Sequence, residues 1–125
     1  MTQTIYKNNS STANVYPRFE IWGPGRVRMI KNNSTDKAIW FKDLTLQPGE
    51  RVMMDLNPTE VSMTSSWSGR GNVLRYVGAG SDIGDFTMKP GMNNISILIE
   101  NSDSSTRVMI RWTPLFWGID GAVLV

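Results

Sequence analysis

The chain contains no cysteine and no histidine. Without cysteine it has no disulfides, no zinc thiolate sites and no thiol chemistry. Without histidine it lacks the Ser-His-Asp triad, the commonest transition-metal ligand and the usual proton shuttle near pH 7. An enzyme built from this sequence would have to work with carboxylates, lysine, tyrosine or a hard metal ion.

Long apolar runs and clustered charges are also missing. No apolar segment approaches the roughly 18 residues of a membrane span, and residues 1–10 are polar, without the apolar segment of a secretion signal. The formal net charge is +2 and the basic residues are scattered, whereas nucleic-acid binders usually carry a clustered basic stripe. We therefore expect neither a membrane nor a nucleic acid among the partners of this chain.

The Pro-Gly pairs at residues 48–49 and 90–91 punctuate the sequence. Proline presets φ for the first corner of a turn and glycine accepts the positive φ of the second, so each pair predicts a turn between two strands. Apolar and polar residues alternate through much of the chain, and no segment shows the apolar period of a helix. The pattern predicts short strands at residues 15–22, 26–31, 38–46, 52–56, 60–64, 73–77, 86–88, 94–100 and 106–112.

The chain has 125 residues and 40% hydrophobic content, enough for one domain with a two-layer core. Short strands without a long helix predict an all-β fold, an antiparallel β-sandwich of the jelly-roll type. We expect the sandwich to span residues 15–118, after a polar arm at residues 1–14 and before an apolar tail at residues 119–125. Polar arms are often disordered alone, so we expect a neighbouring subunit or the parent assembly to hold this one.

Strand parity predicts which side chains enter the core. Trp40, Leu44 and Leu46 share one parity, and Trp112 aligns with core positions of the last strand. Methionine is a flexible filler of apolar interiors, so we expect core packing for the methionines within strand patterns. These are Met29, Met54, Met63 and Met109.

The order of the motifs resembles the C-terminal domain of siphophage distal tail proteins and related minor tail proteins. The similar features are a proline-led first strand at 16–25, a "PGE" turn at 46–50 leading into an alternating strand with Val52, Met54 and Asp55, a "PGxN" turn at 88–95 and a closing "RWxPxxxG" within 108–118. Together these motifs cover most of residues 15–118. No single motif is specific to this family, whereas their order and spacing together are.

This resemblance implies a galectin-like or carbohydrate-module-like β-sandwich with a structural role at the distal tip of a phage tail. There the family forms rings that join the tail tube to the host-recognition apparatus. Nothing in the sequence corresponds to the family's N-terminal ring-forming domain. We therefore expect an excised domain or a small protein that reuses the fold.

Three aromatic or basic residues lie in or beside a Gly/Ser-rich hairpin tip, namely Trp67, Arg70 and Tyr76. Together with Trp22 they are the candidate contacts to a glycan or a protein partner, since an exposed tryptophan can stack on a sugar ring or fill a partner's pocket. The alternative is that Trp67 folds back over the edge of the sandwich.

The apolar C-terminal end offers candidate assembly contacts at Phe116, Trp117, Val123 and Leu124. A free apolar segment should pack somewhere, either over its own sandwich or on a neighbour. Asp82 and Asp85 lie in a glycine-rich loop, but two carboxylates fall well short of a calcium ligand set. We therefore predict no metal site, no cofactor and no catalytic residue.

The leading hypothesis is a structural module of a phage tail or a phage-derived tail, located in the virion at the tail tip after synthesis in the host cytoplasm. Its partners would be other tail proteins and further copies of itself. The alternative is a carbohydrate-binding module that recognises a host surface glycan. A third hypothesis, a glycan-cleaving enzyme, requires two carboxylates about 5–9 Å apart in one cleft.

Overall fold

The computed structural model describes residues 2–118 and 121–124, and from residue 116 onward it describes the backbone alone. Over this part the chain forms ten β-strands and one short 3-10 helix, Leu74–Tyr76. No helix there is long and apolar enough to cross a membrane. The strands are β1 (Thr2–Asn9), β2 (Arg18–Trp22), β3 (Gly25–Asn32), β4 (Lys37–Leu46), β5 (Arg51–Asp55), β6 (Ser62–Ser65), β7 (Gly91–Glu100), β8 (Arg107–Arg111), β9 (Leu115–Gly118) and β10 (Gly121–Leu124).

The strands build two four-stranded sheets and a separate hairpin. Sheet 1 has the order β1-β7-β3-β4, sheet 2 has the order β6-β5-β2-β8, and β9 pairs with β10. Every neighbouring pair of strands runs antiparallel. The predicted antiparallel β-sandwich is therefore confirmed.

The core lies between the inner faces of the two sheets. Phe19 of sheet 2 packs edge-to-face against Phe86, with ring centroids 5.8 Å apart. Such pairs add to the stabilisation that comes from burying the rings. The largest side chains that are essentially fully buried are Phe19, Phe86, Ile21, Ile30, Ile39, Leu44, Leu46, Met54, Leu56, Met63, Met88 and Ile95.

The chain crosses from sheet 2 to sheet 1 through the short link between Trp22 and Gly25. Gly23 lies against the turn after β4, where an added Cβ would collide with the carbonyl oxygen of Gln47 and lie 2.9 Å from the Cβ of Leu46. Because the first of these neighbours is backbone, it cannot yield cheaply. The close approach of the two sheets at this link therefore requires glycine.

The N-terminal segment was expected to be an arm held by a neighbouring subunit or the parent assembly, but its own chain holds residues 2–9. Residues 2–9 form β1, which pairs along its whole length with β7 of its own chain, from Thr2↔Leu98 to Asn9↔Gly91. The buried Asn9 fixes the end of this strand, because its Nδ2 donates to the carbonyls of Ala13, Met88 and Lys89. The polar composition that suggested an arm is that of an edge strand with little buried surface.

Two of the four sheet edges are covered by loops. Along β4, the segment after the 3-10 helix exchanges backbone hydrogen bonds with the strand, from Gly78 N to Trp40 O at 2.7 Å and from Asp82 N to Ala38 O at 2.9 Å. Along β6, Val73 N donates to Met63 O at 2.9 Å. Covering an edge in this way prevents pairing with another chain.

The other two edges, β1 and β8, are open. Over residues 2–118 and 121–124, no backbone hydrogen bond joins either strand to a second neighbour. Both open edges lie on the same side of the sandwich, since the 3-10 helix packs against β4 and β6 on the opposite side. One side is therefore closed to strand addition and the other side is open to it.

The parity prediction for β4 is correct only in part. Leu44 and Leu46 are buried, but Trp40 is 49% exposed on the outer face. The pairing of β3 with β4 shifts register between Val27 and Met29, and Asp43 has a positive φ of 53°. A bulge of this kind reverses the alternation of inward-facing and outward-facing side chains along β4. Before the bulge the inward-facing residues are odd-numbered, and after it they are even-numbered.

Other predictions for the core also need correction. Met54 and Met63 are buried as expected, whereas Met109 is 37% exposed and Met29 lies on the outer face of sheet 1. Trp112 is partly buried and packs against the edge of the core. Methionine fits a half-exposed sheet surface as readily as an interior, so its presence in a strand does not decide the face.

The sequence analysis assigned residues 73–77 to a strand, but the 3-10 helix Leu74–Tyr76 lies within this segment. The side chain of Asn72 accepts a hydrogen bond from Leu74 N at 2.9 Å, and Val77 N donates to Leu74 O at 3.0 Å. Such local side-chain bonds offer the backbone an alternative to a strand ladder.

Candidate functional site

The carboxylate of Glu50 is fully buried at the Pro-Gly turn between β4 and β5. Its Oε1 accepts a hydrogen bond from Gln47 N at 2.9 Å, which closes the turn. Its Oε2 accepts one from Ser65 Oγ at 2.6 Å and lies 2.7 Å from Arg70 Nε. Because a buried carboxylate is costly without a cation, this pair fastens the turn to the hairpin tip that follows β6.

The guanidinium of Arg70 links the two sheets. Its Nη2 donates to the carbonyl oxygen of Thr45 in β4 at 2.8 Å, while its Nε is paired with Glu50 of the turn. The Arg70 side chain is only 17% exposed. Arg70 is thus largely a structural residue whose charge is already neutralised.

Two guanidinium groups lie close to the Tyr76 ring. The Cζ of Arg70 is 5.6 Å from the ring centroid of Tyr76 and the Cζ of Arg75 is 4.8 Å from it, both within cation–π range. The Tyr76 hydroxyl accepts hydrogen bonds from Arg75 Nη2 at 3.2 Å and from Arg70 Nη1 at 3.5 Å. Arg75 Nη1 also donates to the carbonyl of Asn72 at 2.7 Å. The ring and both cations therefore hold one another in place.

Trp67 completes this group and is 44% exposed. Trp67, Arg70, Arg75 and Tyr76, which we call the loop cluster, line an open cavity of about 310 Å³ together with Gly69. This volume is at the small end of the about 300–1,000 Å³ typical of ligand sites. The structure thus brings three of the four residues of the predicted glycan or partner site into one cavity.

Trp22 lies outside the loop cluster. It is on the outer face of β2, where its cross-strand neighbours are Arg51 and Arg107. The Arg107 Cζ lies 4.2 Å from the Trp22 ring centroid. Trp22 therefore forms a second guanidinium–aromatic pair, separate from the cavity.

A groove of about 370 Å³ crosses the outer face of sheet 2 and contains two carboxylates, Glu20 and Asp55. Arg111 Nη1 lies 3.6 Å from Glu20 Oε1, and Asp55 pairs across the strands with Arg18. The exposed side chain of Met53 lies directly across from Glu20 and two residues before Asp55 on β5. The groove therefore combines charges of both signs with an exposed apolar side chain.

Asp82 and Asp85 stabilise the loop that covers β4. Asp82 Oδ2 accepts a hydrogen bond from Ala38 N at 2.9 Å, and Asp85 Oδ2 lies 2.8 Å from Lys37 Nζ. This contact raises the pKa of Lys37 above its ordinary value. In the described part of the chain no three acidic side chains form a group that could hold a metal ion.

The side chains of the four predicted assembly residues, Phe116, Trp117, Val123 and Leu124, lie outside the described part of the structure. Their backbone forms the β9–β10 hairpin, with Trp117 opposite Ala122 and Phe116 opposite Val123. The hairpin is anchored by Leu115, whose N–H donates to Ser11 Oγ at 2.8 Å. Their role as assembly contacts stays a prediction.

The sequence analysis did not single out Arg75. Arg75 lies five residues after Arg70, in a segment that was assigned to a strand. If that segment were a strand, the side chains of Arg70 and Arg75 would not both reach the Tyr76 ring. The 3-10 turn brings them together. The signal in the sequence that could have identified Arg75 was its position directly before Tyr76.

No protein-family model, no curated protein and no solved structure matches this chain.

Proposed function

We propose that this domain is a structural module of a phage tail or a phage-derived tail, which assembles through protein–protein contacts and helps to link the tail tube to the host-recognition apparatus. The order of the motifs at 16–25, 46–50, 88–95 and 108–118 supports this proposal, together with the β-sandwich fold that the family resemblance implies. The observation that carries it is the open side of the sandwich, formed by β1 and β8.

The open edge β1 is long and almost uncharged, since Lys7 is its only charged residue. Natural edge strands that avoid pairing are usually short, bulged or charged. Tyr6 projects from β1 and is 63% exposed. An edge with these properties is suited to pair with a strand of a neighbouring subunit.

The outer face of sheet 1 carries charged pairs such as Arg28–Glu100 and Lys31–Asp36, but an uncharged row runs between them. One row of cross-strand neighbours across the whole sheet carries no charge: Thr2, Leu98, Met29 and Trp40. Interfaces are enriched in aromatic and methionine side chains and depleted of charge at their centre. This row therefore favours a protein partner, and we propose a second copy of this chain.

The C-terminal hairpin supports the same function. Six of its eight strand residues are apolar, and in the described part of the chain the two strands pair only with each other. A two-stranded hairpin alone is marginally stable in water, so it requires further contacts. Contacts with a neighbouring subunit would supply them.

The test compares one substitution at an open and at a covered edge. Thr4→Lys places a charge on exposed β1, and Thr64→Lys places the same charge on exposed β6. We expect an oligomer for the unmodified chain, a marked loss of mass for Thr4→Lys and no loss for Thr64→Lys, by size-exclusion chromatography with light scattering. A ring in negative-stain images would support the tail role. A monomeric unmodified chain, or equal effects of both substitutions, would contradict assembly through the open side.

Carbohydrate binding is a second candidate function, favoured by the loop cluster. An exposed indole beside polar side chains is a common way to hold a sugar, because the apolar ring faces of the sugar stack on the aromatic ring while its hydroxyl groups meet donors and acceptors. Protection of the Trp67 indole signal by oligosaccharides, measured by NMR, tests this function directly.

A further inference from the structure

The loop cluster places an unneutralised cation beside an exposed aromatic ring. We propose that it binds an acidic sugar residue of the uronic-acid class, with the sugar ring stacked on Trp67 and its carboxylate at Arg75. This inference rests on carbohydrate binding, the second candidate function, and adds the chemical class of the sugar.

The two arginines of the cluster differ in the charge that they leave for a ligand. The charge of Arg70 is balanced by the buried Glu50 at 2.7 Å. Over residues 2–118 and 121–124 no carboxylate forms an ion pair with Arg75, whose side chain is exposed. No acidic side chain lines the cavity. The cavity therefore carries one net positive charge that a ligand carboxylate can match.

The hydrogen bonds of the cluster leave suitable donors free. Arg75 uses Nη1 towards the carbonyls of Asn72 and Arg70 and Nη2 towards Tyr76, so its Nε–H has no acceptor in the described part of the chain. The Tyr76 hydroxyl accepts two hydrogen bonds, which leaves its own hydrogen for donation. A carboxylate with an adjacent hydroxyl, as in a uronic acid, needs such neighbouring donors.

The existing contacts also hold Arg75 in position before a ligand arrives. Its guanidinium lies over the Tyr76 ring, with Cζ 4.8 Å from the centroid, and donates a hydrogen bond to the backbone of the loop. Ordering a long side chain on binding costs free energy, and here most of that ordering is already present. This makes Arg75 a better carboxylate ligand than the scattered surface lysines of the chain.

The experiment titrates the full chain with tri-galacturonate, with neutral galactotriose and with a tri-glutamate peptide, following the Trp67 indole signal by NMR. The variants are Arg75→Gln, Tyr76→Phe and the control Arg107→Gln. Arg107 makes the same kind of guanidinium–ring contact with Trp22, away from the cavity. Near-UV circular dichroism establishes that each variant keeps its fold.

We expect tri-galacturonate to bind more tightly than the other two ligands, and Arg75→Gln to weaken this binding about tenfold or more. Arg107→Gln should leave it unchanged. If Arg75→Gln does not fold, rising salt should weaken tri-galacturonate binding to the unmodified chain. Equal binding of the neutral sugar would leave carbohydrate binding in place and overturn the preference for acids. Equal binding of the tri-glutamate peptide would show that the cavity recognises charge alone. If none of the three ligands binds, both the preference for acidic sugars and carbohydrate binding itself are rejected.

Discussion

The buried pair between Glu50 and Arg70 predicts a large and specific loss of stability on Arg70→Met. Methionine keeps much of the apolar volume of arginine but removes its charge. The Glu50 carboxylate would then keep its bonds to Gln47 N and Ser65 Oγ and lose its only cation at 2.7 Å. The variant would therefore contain a fully buried Glu50 carboxylate without a compensating cation, which lowers the stability of the fold.

The magnitude follows from this burial. Removing one partner of a buried ion pair costs about 3–5 kcal/mol, a large part of the about 5–15 kcal/mol that stabilises an ordinary domain. At 125 residues this loss corresponds to a melting temperature lower by about 10–20 °C. The double variant Glu50→Gln/Arg70→Met should recover at least about 2 kcal/mol, because the neutral amide can still bond to Gln47 and Ser65.

The assay is chemical denaturation of the two single variants and the double variant, followed by circular dichroism. Arg26→Met is the matched control. Its ion pair with Asp43 has the similar distance of 2.9 Å, but Asp43 is 84% exposed, so its loss should cost no more than about 1 kcal/mol. A cost below about 1 kcal/mol for Arg70→Met, or a double variant as unstable as the sum of the two singles, would refute the reasoning.

Two further predictions concern buried and exposed polar groups. Asn93→Ala should lower the free energy of unfolding by at least about 2 kcal/mol in denaturant titration, because the buried amide bonds Lys89 N, Lys89 O and Gly91 O. Its neighbour Asn94, whose amide contact is exposed, should tolerate the same change, and equal losses would contradict the prediction. Asp85→Asn should lower the pKa of Lys37, measured by NMR titration of Nζ, since Asp85 is the main cause of its elevation. An unchanged pKa would rule that contact out.

The two Pro-Gly motifs illustrate how far the sequence predicted the fold. Gly49 and Gly91 have the predicted positive φ, of 80° and 88°, but only the first pair joins two strands. The strand predicted at 86–88 is absent, since that segment contributes one isolated bridge, Val15↔Met88, and β7 begins at Gly91. The sequence did not indicate that the first polar residue after each pair, Glu50 or Asn93, is buried. Glu50 and Asn93 each turn back to bond the backbone of their own turn. Polar residues in turns are usually exposed, so only the three-dimensional path of the chain reveals this use.

The strands that sequence analysis missed share one cause. β1 is mostly polar, and β9 and β10 are apolar apart from their glycines, so none of them shows the alternation of a half-buried strand. The loop cluster was predicted in part for a similar reason. Trp67, Arg70 and Tyr76 were recognised by residue type, but Arg75 joins them only because Asn72 turns the chain into a 3-10 helix. Local side-chain bonds, rather than periodicity, decide such segments.

The positions of the open edges make the two candidate functions compatible. The loop cluster lies on the covered side of the sandwich, where Arg70 bonds Thr45 of β4. The open edges β1 and β8 lie on the opposite side. There a hydrogen bond from Leu115 N to Ser11 Oγ joins the segments that follow these two strands. A subunit that pairs along the open side would therefore leave the cavity at Trp67 accessible. A chain that assembles through β1 while presenting an acid-binding cavity outward is expected to retain ligand binding when Thr4→Lys abolishes assembly. Joint loss of both activities would instead place the cavity at the subunit interface.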